Sequence, residues 1–349
     1  MKKIAIFVND LKVGGIQKSI VNLLNIINSK YEIDLYVFDN DSFYQIPKNI
    51  NVIYLKRPSS LYKFIPFKIV KKIMKIDVKD TNYDIAIDFD SYQMYTAMGA
   101  LTCNAKKRVI WIHNDIQIKL KEELKYRILH YFFKKKYRYF DIYCSVSDGA
   151  LKSFQNLNNF KDKKCVVIPN IIDTKEIEEK IKEKSHLKVN NKIINIVTVG
   201  RLCHQKGIDI MLNNIKILLE QRNDFHLYII GDGPDRKKLE GLSNKLNLGQ
   251  YVTFLGNQKN PYKYLKKMDV FYLSSRYEGQ GMVILEALSV GLDIVIPEHL
   301  EKYCPPVKGT DDIIKYFINY KKKTDPKKFN DLQEYNNQIL EKIDNIINE

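Results

Sequence analysis

The sequence predicts an α/β protein made of two consecutive Rossmann-like domains. Short apolar runs rich in Ile and Val alternate with longer amphipathic stretches, a pattern typical of parallel strands joined by helices. The runs fall into two series, separated by the charged and strand-free segment 174–192. A length of 349 residues is sufficient for two such domains.

The first series of apolar runs predicts the strands of an N-terminal domain, which we place at residues 1–184. Continuous apolar runs are expected where helices cover both faces of a parallel sheet. The predicted strands are KIAIFVN (3–9), IDLYVF (33–38), NVIYL (51–55), IAIDF (85–89), RVIWIH (108–113), IYCSVS (142–147) and CVVIPN (165–170). Amphipathic stretches between several of them, such as GIQKSIVNLLNIINS, predict helices.

The second series predicts a second domain at residues 185–325. Its strands are INIVTVG (194–200), FHLYIIG (225–231), VTFLG (252–256), VFYLSS (270–275) and DIVIP (293–297). The tail has helical periodicity, and we expect residues 326–349 to form a helix that crosses back to the first domain. Ligands of open α/β sheets bind beyond the carboxyl ends of the strands, so two domains facing across a cleft imply a substrate between them.

The amino-acid composition restricts the class of protein and the cellular compartment in which it is expected to fold. The hydrophobic fraction is 45% and no apolar run reaches 18 residues, so neither a disordered chain nor a membrane-spanning helix is predicted. The apolar start IAIFV is interrupted by Asn9 and Asp10, which favours the cytoplasm over secretion. The 5 cysteines are scattered without a C-x-x-C pair, so we expect buried thiols rather than a zinc site or disulfides.

The net charge of +16 is concentrated in the first half of the chain. Residues 1–190 hold 34 Lys and Arg against 21 Asp and Glu, whereas residues 191–349 hold 23 against 20. The segment 119–140 interleaves basic residues, Lys134, Lys135 and Lys136 among them, with Leu, Ile and Phe. It predicts either an amphipathic helix lying on an anionic membrane or an ordinary surface helix. Because no recognition motif accompanies the charge, we expect no nucleic-acid partner.

Groups suited to phosphate follow the strands of the second series. Arg201 and Lys206 lie in the loop after INIVTVG, where Arg can bind phosphate through two hydrogen bonds and Lys adds a point charge. Gly233 belongs to a tight GDGP turn that lets the backbone pass close to a ligand. Gly279 and Gly281 open a helix, and the unpaired N–H groups of a helix start form an anion site.

Two carboxylates accompany these phosphate-binding groups. Glu278 lies in the loop after VFYLSS, and Glu286 follows eight residues later in the helix. They can face one ligand at different depths, as a sugar ring at one end and a ribose at the other would require. Carboxylates beside phosphate-binding cations select a molecule with both charge and hydroxyls, which describes a nucleotide sugar.

The motifs resemble the donor-binding domain of retaining GT-B-fold glycosyltransferases of family four, glycosyl transferases group 1. They are G-R-L-x-x-x-K-G at 200–207, G-D-G-P at 231–234, F-L-G at 254–256 and E-x(7)-E at 278–286, in the family's order and approximate spacing. The first half agrees through Gly14 and Gly15 after the first strand, W-I-H-N around His113, and I-P-N-I-I-D at 168–173. The resemblance covers about residues 1–297 and implies an acceptor-binding first domain and a donor-binding second domain.

The resemblance also implies roles for the matching residues in the second domain. Arg201 and Lys206 would hold the donor pyrophosphate. The backbone of Gly281, Met282 and Val283 would cap its distal phosphate. Fixed cations and helix N–H groups can stabilise a departing diphosphate without a metal, and we therefore expect no metal and no other cofactor.

The remaining roles concern the sugar, the ribose and the base. Glu286 would bind the ribose hydroxyls, and Glu278 would bind hydroxyls of the transferred sugar. His113 would reach the same sugar from the first domain, and Asn257 would lie near the base. The further donor contacts expected from the resemblance are the glycines Gly14, Gly15, Gly233 and Gly279.

Other motifs in the chain are interpreted as structural. Asp88-Phe89-Asp90 resembles the metal-binding D-x-D of the other major glycosyltransferase fold, but it lies in the first domain, away from the donor motifs. The other histidines have no ligand spacing and are expected to be structural or on the surface: His130, His186, His204, His226 and His299. Phosphate-loop, nucleophile-elbow and dinucleotide-binding motifs are lacking in the sequence.

Two positions depart from the family's pattern. Asp293 occupies the place of a proline that commonly follows the helix of the second glutamate, and the glycine-rich turn after it is missing. Gln280 stands where an aromatic residue is common, so contacts near the transferred sugar are expected to differ.

The sequence therefore predicts a retaining, metal-independent transfer of a sugar from a nucleotide donor, expected to be UDP-linked. The expected acceptor is a lipid-linked glycan in bacterial surface-polysaccharide or capsule synthesis, at the inner face of the cell membrane. Retaining members of the fold have no generally established protein nucleophile, and we assign no catalytic base. A nucleotide-sugar epimerase, a sugar phosphorylase of the same fold and a catalytically silent sugar-binding subunit remain open alternatives.

Overall fold

The chain forms two compact units, described by a computed structural model that covers residues 1–158, 163–304, 307–323 and 332–348. Unit 1 consists of Met1–Ile171 together with Asn336–Glu349, and unit 2 consists of Ile172–Tyr335. Each unit contains one sheet whose paired strands are all parallel. The predicted α/β class with two Rossmann-like domains is therefore confirmed.

Unit 1 contains a seven-stranded sheet with the order β3-β2-β1-β4-β5-β6-β7. Every strand expected in this half is present: β1 (Lys3–Val8), β2 (Glu32–Val37), β3 (Asn51–Tyr54), β4 (Tyr83–Asp88), β5 (Ala105–Ile112), β6 (Ile142–Ser145) and β7 (Lys164–Val167). Successive residues of β1 are buried, so both of its faces are covered, which explains its continuous apolar sequence. On one face, the ring of Phe7 stacks on that of Tyr36 with their centroids 4.6 Å apart.

Helices cover the sheet of unit 1. They are α1 (Gly15–Ile27), α2 (Phe67–Ile73), α3 (Met94–Thr102), α4 (Ile116–Glu122), α5 (Leu124–Phe133) and α6 (Asp148–Asn158), with short 3-10 helices at Ser60–Phe64 and Lys134–Tyr139. The start of α4 is fixed by Asp115, whose carboxylate accepts the Ile118 N–H at 2.9 Å. That cap begins α4 shortly after the end of β5, at the carboxyl edge of the sheet.

Unit 2 contains a five-stranded sheet with the order β10-β9-β8-β11-β12. The strands are β8 (Ile194–Val199), β9 (Phe225–Ile230), β10 (Val252–Gly256), β11 (Val270–Tyr272) and β12 (Asp293–Val295), again those predicted. The helices are α7 (Thr174–Lys180), α8 (Ile208–Leu218), α9 (Arg236–Lys245), α10 (Tyr262–Leu265), α11 (Met282–Val290) and α12 (Ile313–Asn319). Short 3-10 helices occur at His204–Lys206 and Glu298–Tyr303.

The last helix, α13 (Leu332–Asn348), belongs to unit 1 from Asn336 onward. The carboxylate of Asp344 accepts hydrogen bonds from the Tyr31 hydroxyl at 2.6 Å and from the Lys30 ammonium at 2.9 Å. The predicted helix was placed at 326–349, of which 326–331 and 349 lie outside the described residues. None of the described helices is long and apolar enough to span a membrane.

The division between the units falls after residue 171, whereas the sequence places it after residue 184. The difference arises because the charged segment is held by unit 2. Ile172 and Ile177 pack into its apolar core. The amide of Asn260 donates to the Lys180 carbonyl at 2.7 Å, which fixes the end of α7.

The segment 119–140 is not the continuous amphipathic helix that its pattern suggests. It contains the end of α4, the whole of α5 and a 3-10 helix. Leu124, Ile128 and Tyr131 are exposed, as that interpretation requires, but Tyr126 is in the core. Lys136, which we expected to be one of the exposed cations, is fully buried, so that part of the prediction is wrong.

Lys136 is buried because unit 1 supplies partners for its ammonium. Its Nζ donates to the carbonyl oxygens of Ser91 at 2.5 Å and Gln93 at 2.7 Å, and it lies 3.9 Å from Asp88 Oδ2. Burial lowers the pKa of Lys136 to about 8, and it raises the pKa of Asp88 to about 6. The lysine thus holds the turn between β4 and α3, in which Ser91 has a positive φ of 23°.

We expect Lys136→Met to destabilise unit 1 by about 3–5 kcal/mol, because it leaves a buried carboxyl without its counter-charge. Lys136→Met combined with Asp88→Asn should cost less than the sum of the two single changes. The measurement is urea unfolding followed by the fluorescence of Trp111, the single tryptophan, which lies in β5.

The matched control for this cycle is Lys135→Met. Lys135 is the exposed neighbour in the same 3-10 helix, and its replacement should change the free energy of unfolding by less than about 0.5 kcal/mol. Additive effects of the Lys136 and Asp88 changes would contradict the ion pair.

Candidate active site

The candidate site of unit 2 is built from two loops at the carboxyl edge of its sheet, one after β8 and one between β11 and α11. Several hydrogen bonds join the loops. The backbone N–H of Arg276 donates to the Gln205 carbonyl at 2.8 Å, and Gln205 Nε2 donates to the Tyr277 carbonyl at 3.0 Å. The Ser274 hydroxyl donates to the Gly207 carbonyl at 2.9 Å. These bonds bring the two motifs predicted from sequence into one site.

The centre of the site is an ion pair between Lys206 and Glu278. Lys206 Nζ lies 2.6 Å from Glu278 Oε1, and the same oxygen accepts the Ser275 hydroxyl at 2.6 Å. Burial disfavours the charged form of Lys206, but the charge and hydrogen bond of Glu278 outweigh it, so the pKa of Lys206 is raised. The structure therefore places a fixed cation directly against a buried carboxylate.

Arg201 differs from the other cations of the site. It is exposed and forms no hydrogen bond or ion pair with any described residue. Arg276, in contrast, is held by Asp209, with Nη1–Oδ1 at 2.9 Å and Nη2–Oδ2 at 2.6 Å, and it also donates to the His204 carbonyl at 2.7 Å. Arg201 is thus the cation available for an incoming anion.

The G-D-G-P turn is attached to the loop after β8. The Leu202 N–H donates to the Asp232 carbonyl at 2.9 Å, and the Asp235 N–H donates to the Leu202 carbonyl at 3.0 Å. Gly233 is needed here because a Cβ would overlap the carbonyl oxygen of Leu202. The turn therefore fixes the backbone next to Arg201.

The helix after the second loop begins at Met282, with Gly281 as its N-cap and with both Gly279 and Gly281 buried. The Met282 N–H donates to the Gln280 carbonyl at 2.9 Å. Of the three backbone groups predicted to cap a phosphate, this one therefore already has a partner within the loop. Val283 follows in the first turn and is half-buried.

Glu286 lies in the second turn of α11 and is buried. Its Oε1 accepts the Tyr262 hydroxyl at 3.1 Å, which orients the carboxylate from α10. Asn257, predicted to lie near the base, follows β10 and is exposed. The preceding Gly256 has a φ of 68°, a conformation that favours glycine.

Sequence reasoning missed several residues that support the site. Ser275 and Tyr262 each donate to one of the two glutamates, and Arg276 joins the two loops. His299 was expected to be structural or on the surface, and its Nε2 lies 3.0 Å from the Ser275 carbonyl. Cys304 is buried near Gly281, and burial raises the pKa of its thiol to about 12. The short S-S-R sequence after β11 was the available signal for Ser275 and Arg276.

The two departures from the family's pattern have structural partners in unit 2. Gln280 Nε2 donates to the Tyr335 hydroxyl at 2.7 Å, so the amide replaces a ring contact with a hydrogen bond. Asp293 Oδ2 accepts the Tyr320 hydroxyl at 2.9 Å, and its other oxygen pairs with Lys323. The aspartate therefore forms the edge of β12 through polar contacts that a proline could not make.

The remaining predicted residues belong to unit 1. Gly14 is the N-cap of α1, and a Cβ added at Gly15 would meet no atom within 4 Å. His113 follows β5 and is buried, with its Nε2 at 2.8 Å from the Phe89 carbonyl. Because a carbonyl oxygen only accepts, Nε2 carries the proton. Burial lowers the pKa of His113 to about 3, so the ring is neutral near pH 7 and Nδ1 is an acceptor.

The D-x-D sequence also lies in unit 1, at the end of β4. Both carboxyls are buried, and burial raises the pKa of Asp90 to about 8, with the charges of Asp88 and Asp10 acting in the same direction. Among the described residues, no group of three or more His, Cys, Asp or Glu is placed to hold a metal ion. The cysteines of both units are free thiols in the described part of the chain, and three of them, Cys103, Cys144 and Cys304, are buried.

Comparison with known families assigns the class of protein. Residues 151–299 match the family described as Glycosyl transferases group 1, and residues 13–176 match Glycosyltransferase Family 4. The matched residues include the ion pair, both glutamates and the glycine turns described above. The chain therefore belongs to the group 1, family 4 glycosyltransferases.

Individual proteins give a consistent result. An uncharacterized glycosyltransferase of Methanocaldococcus jannaschii is 29% identical over 265 residues, which are 71% of this chain and 65% of that protein, just under two thirds of its length. The N-acetylgalactosamine-N,N'-diacetylbacillosaminyl-diphospho-undecaprenol 4-alpha-N-acetylgalactosaminyltransferase of Campylobacter jejuni is 27% identical over 304 residues, 86% of this chain and 81% of that one.

Solved structures establish the fold. S. aureus TarM, crystallised with fondaparinux, alpha-GlcNAc-glycerol and UDP, matches with a TM-score of 0.71 at 15% identity. The match covers 100% of each chain. The expected GT-B fold is thereby confirmed.

We expect Gly207→Ala to destabilise unit 2 by about 2–4 kcal/mol. Gly207 has a φ of 61°, and a Cβ there would overlap the carbonyl oxygen of Ser274, the residue whose hydroxyl joins the two loops. Urea unfolding followed by far-UV circular dichroism measures the change.

Gly241→Ala is the control for this substitution. Gly241 lies inside α9 with no atom within 4 Å of an added Cβ, so alanine should stabilise the helix by about 0.5–1 kcal/mol. Equal effects of the two substitutions would show that the contact with Ser274 is not required.

Proposed function

We propose that this glycosyltransferase binds a UDP-linked sugar in unit 2 and transfers the sugar with retention of its anomeric configuration. The observation that carries the proposal is the ion pair between the half-buried Lys206 and the buried Glu278, in the same loop region as the exposed Arg201 and at the carboxyl edge of a parallel sheet. The TarM structure in complex with UDP supports the choice of nucleotide through the shared fold. The family membership supports transfer rather than another reaction on the same fold.

Breaking the bond between sugar and diphosphate requires that negative charge on the departing oxygen be stabilised. Lys206 is held in place by Glu278, whose carboxylate is in turn oriented by the Ser275 hydroxyl, so the positive charge of the lysine needs no reorganisation during the reaction. Arg201 can supply two parallel hydrogen bonds to phosphate oxygens. We propose that these fixed cations, with the backbone of Gly281 and Val283, provide this stabilisation in place of a metal.

The carboxylates would orient the hydroxyls of the donor. Glu286 is buried and held by Tyr262, which suits a carboxylate that accepts two neighbouring ribose hydroxyls. Glu278 has a second oxygen besides the one bonded to Lys206, and that oxygen would accept a hydroxyl of the transferred sugar. A carboxylate that contacts both the cation and the sugar would couple sugar recognition to the position of the phosphate-binding lysine.

His113 would contribute to sugar binding as a neutral acceptor. Its tautomer is fixed by the Phe89 carbonyl, so Nδ1 can accept a hydrogen bond from a hydroxyl group but cannot donate one. Gly15 leaves open space beside the first turn of α1, into which phosphate oxygens could approach. We assign no protein base, and in the proposed same-face substitution the departing phosphate oxygen receives the proton of the acceptor hydroxyl.

The proposed acceptor is a glycan carried by a lipid, as in bacterial surface-polysaccharide synthesis. The Campylobacter jejuni relative supports it, since its name describes a diphospho-undecaprenol substrate. An exposed apolar surface of unit 1 supports it independently. This surface is formed by Leu61 and Phe64 of the 3-10 helix and by Leu124, Ile128 and Tyr131 of α5, two elements that contact each other through Phe64 and Phe132. The exposed Lys125, Lys134 and Lys135 lie in the same segment of the chain, and we propose that this surface lies on the inner face of an anionic membrane.

Thermal unfolding with and without UDP tests the donor site. A ligand at a hundred times its Kd adds about 2.7 kcal/mol to the free energy of unfolding, so UDP should raise the Tm of the wild-type protein. Arg201→Ala should abolish most of this increase without changing the Tm of the ligand-free protein, because Arg201 has no partner among the described residues. Lys206→Ala should abolish the increase and also lower the ligand-free Tm, since Glu278 is left buried without its cation.

Lys216→Ala is the control for the donor test. Lys216 is exposed in the last turn of α8, and its replacement should leave the UDP-dependent increase intact. The proposal fails if UDP does not change the wild-type Tm, or if Arg201→Ala and Lys216→Ala retain the same increase.

Vesicle sedimentation tests the membrane surface. The wild-type protein should bind vesicles containing phosphatidylglycerol more strongly than vesicles of phosphatidylcholine alone. The pair Lys134→Gln and Lys135→Gln should weaken binding by about 2 kcal/mol, since each lysine near an anionic surface contributes about 1 kcal/mol. Lys136 is omitted because it is buried.

The control pair is Lys237→Gln and Lys238→Gln, two adjacent exposed lysines of α9 in unit 2. It removes the same charge from the chain and should leave vesicle binding nearly unchanged. Equal losses in the two pairs would show that net charge, rather than this surface, determines binding.

A further inference from the structure

Unit 1 contains a pocket of about 260 Å³ that the donor chemistry does not use. It is lined by residues from the 3-10 helix Ser60–Phe64, from the turn before α3, and from the segment that contains α4 and α5. Its lining is unusual in combining several lysines with an aromatic and aliphatic wall. Both features restrict the chemistry of a ligand.

The cations of the pocket are Lys63, Lys119 and Lys125, against one carboxylate, Glu123. Lys119 Nζ lies 3.6 Å from Glu123 Oε1, so one of the three positive charges is partly balanced. Lys63 and Lys125 form no ion pair with any residue in the described part of the chain. The pocket is therefore positively charged and complementary to an anion with more than one charge.

The wall of the pocket is apolar. Tyr126 and Phe133 are buried in the core of unit 1, and Tyr92 and Leu129 pack against that core. The ammonium of Lys119 lies 5.0 Å from the ring centroid of Tyr92 and 5.1 Å from that of Tyr126, which fixes the cation over the aromatic wall. A small hydrated anion would contact the lysines but gain nothing from the wall, whereas a phosphate attached to an apolar chain would use both.

The pocket is continuous with the exposed apolar surface of unit 1. Leu61 and Phe64 belong to the same 3-10 helix as Lys63, and Leu124 and Ile128 are adjacent in α5 to Lys125 and Leu129. The ring of Phe64 contacts that of Phe132 with the centroids 6.2 Å apart, which joins the 3-10 helix to α5. An apolar chain that leaves the pocket therefore meets further apolar side chains.

The shape of the pocket is maintained by the buried Lys136. Its ammonium binds the carbonyl oxygens of Ser91 and Gln93, on either side of Tyr92, and so fixes the turn that supplies Tyr92 to the pocket. A rigid turn allows the site to exist before the ligand arrives, which reduces the entropy cost of binding.

We infer that this pocket binds the phosphate-bearing end of a lipid acceptor, namely a phosphate or diphosphate together with the first apolar units of an isoprenoid-type chain. The inference rests on the proposed function, in which the acceptor glycan is linked to a lipid. The lysines bind the phosphates, the aromatic wall binds the adjoining chain, and the rest of the chain extends over the exposed apolar surface.

Isothermal titration of the full-length chain with farnesyl diphosphate tests the pocket. Saturating UDP is present so that the diphosphate cannot occupy the proposed donor site. Farnesyl diphosphate should bind at least tenfold more tightly than inorganic diphosphate. The pair Lys119→Gln and Lys125→Gln should weaken its binding at least tenfold, because two charge-assisted contacts are lost.

The matched control pair is Lys121→Gln and Arg127→Gln. Both residues are exposed, lie in α4 and α5, and do not line the pocket, and their replacement removes the same charge. Affinity for farnesyl diphosphate should stay within about twofold of the wild-type value, given that surface charges outside the site contribute little at physiological salt.

Three results would overturn the inference. The first is equal affinity for inorganic and farnesyl diphosphate, which would identify a free-phosphate site. The second is an equal loss in the pocket pair and the control pair. The third is an affinity for a soluble, short-chain phosphatidylglycerol equal to that for farnesyl diphosphate, which would identify a phospholipid headgroup site.

Failure of the pocket can be separated from failure of the proposed function. Arg201→Ala should weaken UDP binding and leave the affinity for farnesyl diphosphate unchanged. A protein that did not bind UDP would contradict the proposed function. In that case the farnesyl diphosphate titration is repeated without the nucleotide, and comparison of the two variant pairs still tests whether the pocket binds the ligand.

Discussion

The ion pair between the half-buried Lys206 and the buried Glu278 is the interaction on which the proposed chemistry of unit 2 depends. A lysine can be withdrawn from water only if a carboxylate or a set of carbonyl oxygens replaces its hydration. Here the carboxylate comes from the loop after another strand, so the ion pair also fixes the distance between two loops. The charge of Glu278 outweighs burial and keeps the pKa of Lys206 raised, so the lysine remains a cation at physiological pH. A permanent positive charge at a fixed place is what a departing diphosphate requires.

Unit 1 also contains a lysine ammonium shielded from water, but its partners differ from those of Lys206. The ammonium of Lys136 is surrounded by two backbone carbonyls and by the carboxyl of Asp88 at a longer distance. This arrangement is less favourable for the charge, and the pKa of Lys136 is lowered, to about 8. The two lysines therefore have different functions. Lys206 is proposed to meet a ligand, whereas Lys136 fixes the backbone turn that carries Tyr92.

The fold was predictable because its determinants are local. Continuous apolar runs such as IAIFV identified every strand, and the period of the intervening stretches identified most helices. The site was predictable in part, since Arg201, Lys206 and the two glutamates lie within motifs of fixed spacing. What the sequence could not provide were contacts between distant residues. The direct pairing of Lys206 with Glu278, the orientation of Glu286 by Tyr262, and the burial of Lys136 each depend on three-dimensional packing. A lysine in the run KKKYRY gives no local sign of being buried, because its partners are more than forty residues away.

The path of the chain has a consequence for the order in which the protein folds during synthesis. Unit 1 is built from two separate stretches of the chain, because α13 contributes Asp344 to Tyr31 and Lys30, whereas unit 2 is one continuous stretch. All of unit 2 can emerge from the ribosome and form its sheet while the final helix is still being made. Unit 1 lacks its last helix until α13 has been synthesised. Nascent chains would therefore leave the region around Tyr31 without α13, and accessible to chaperones, while unit 2 is being synthesised.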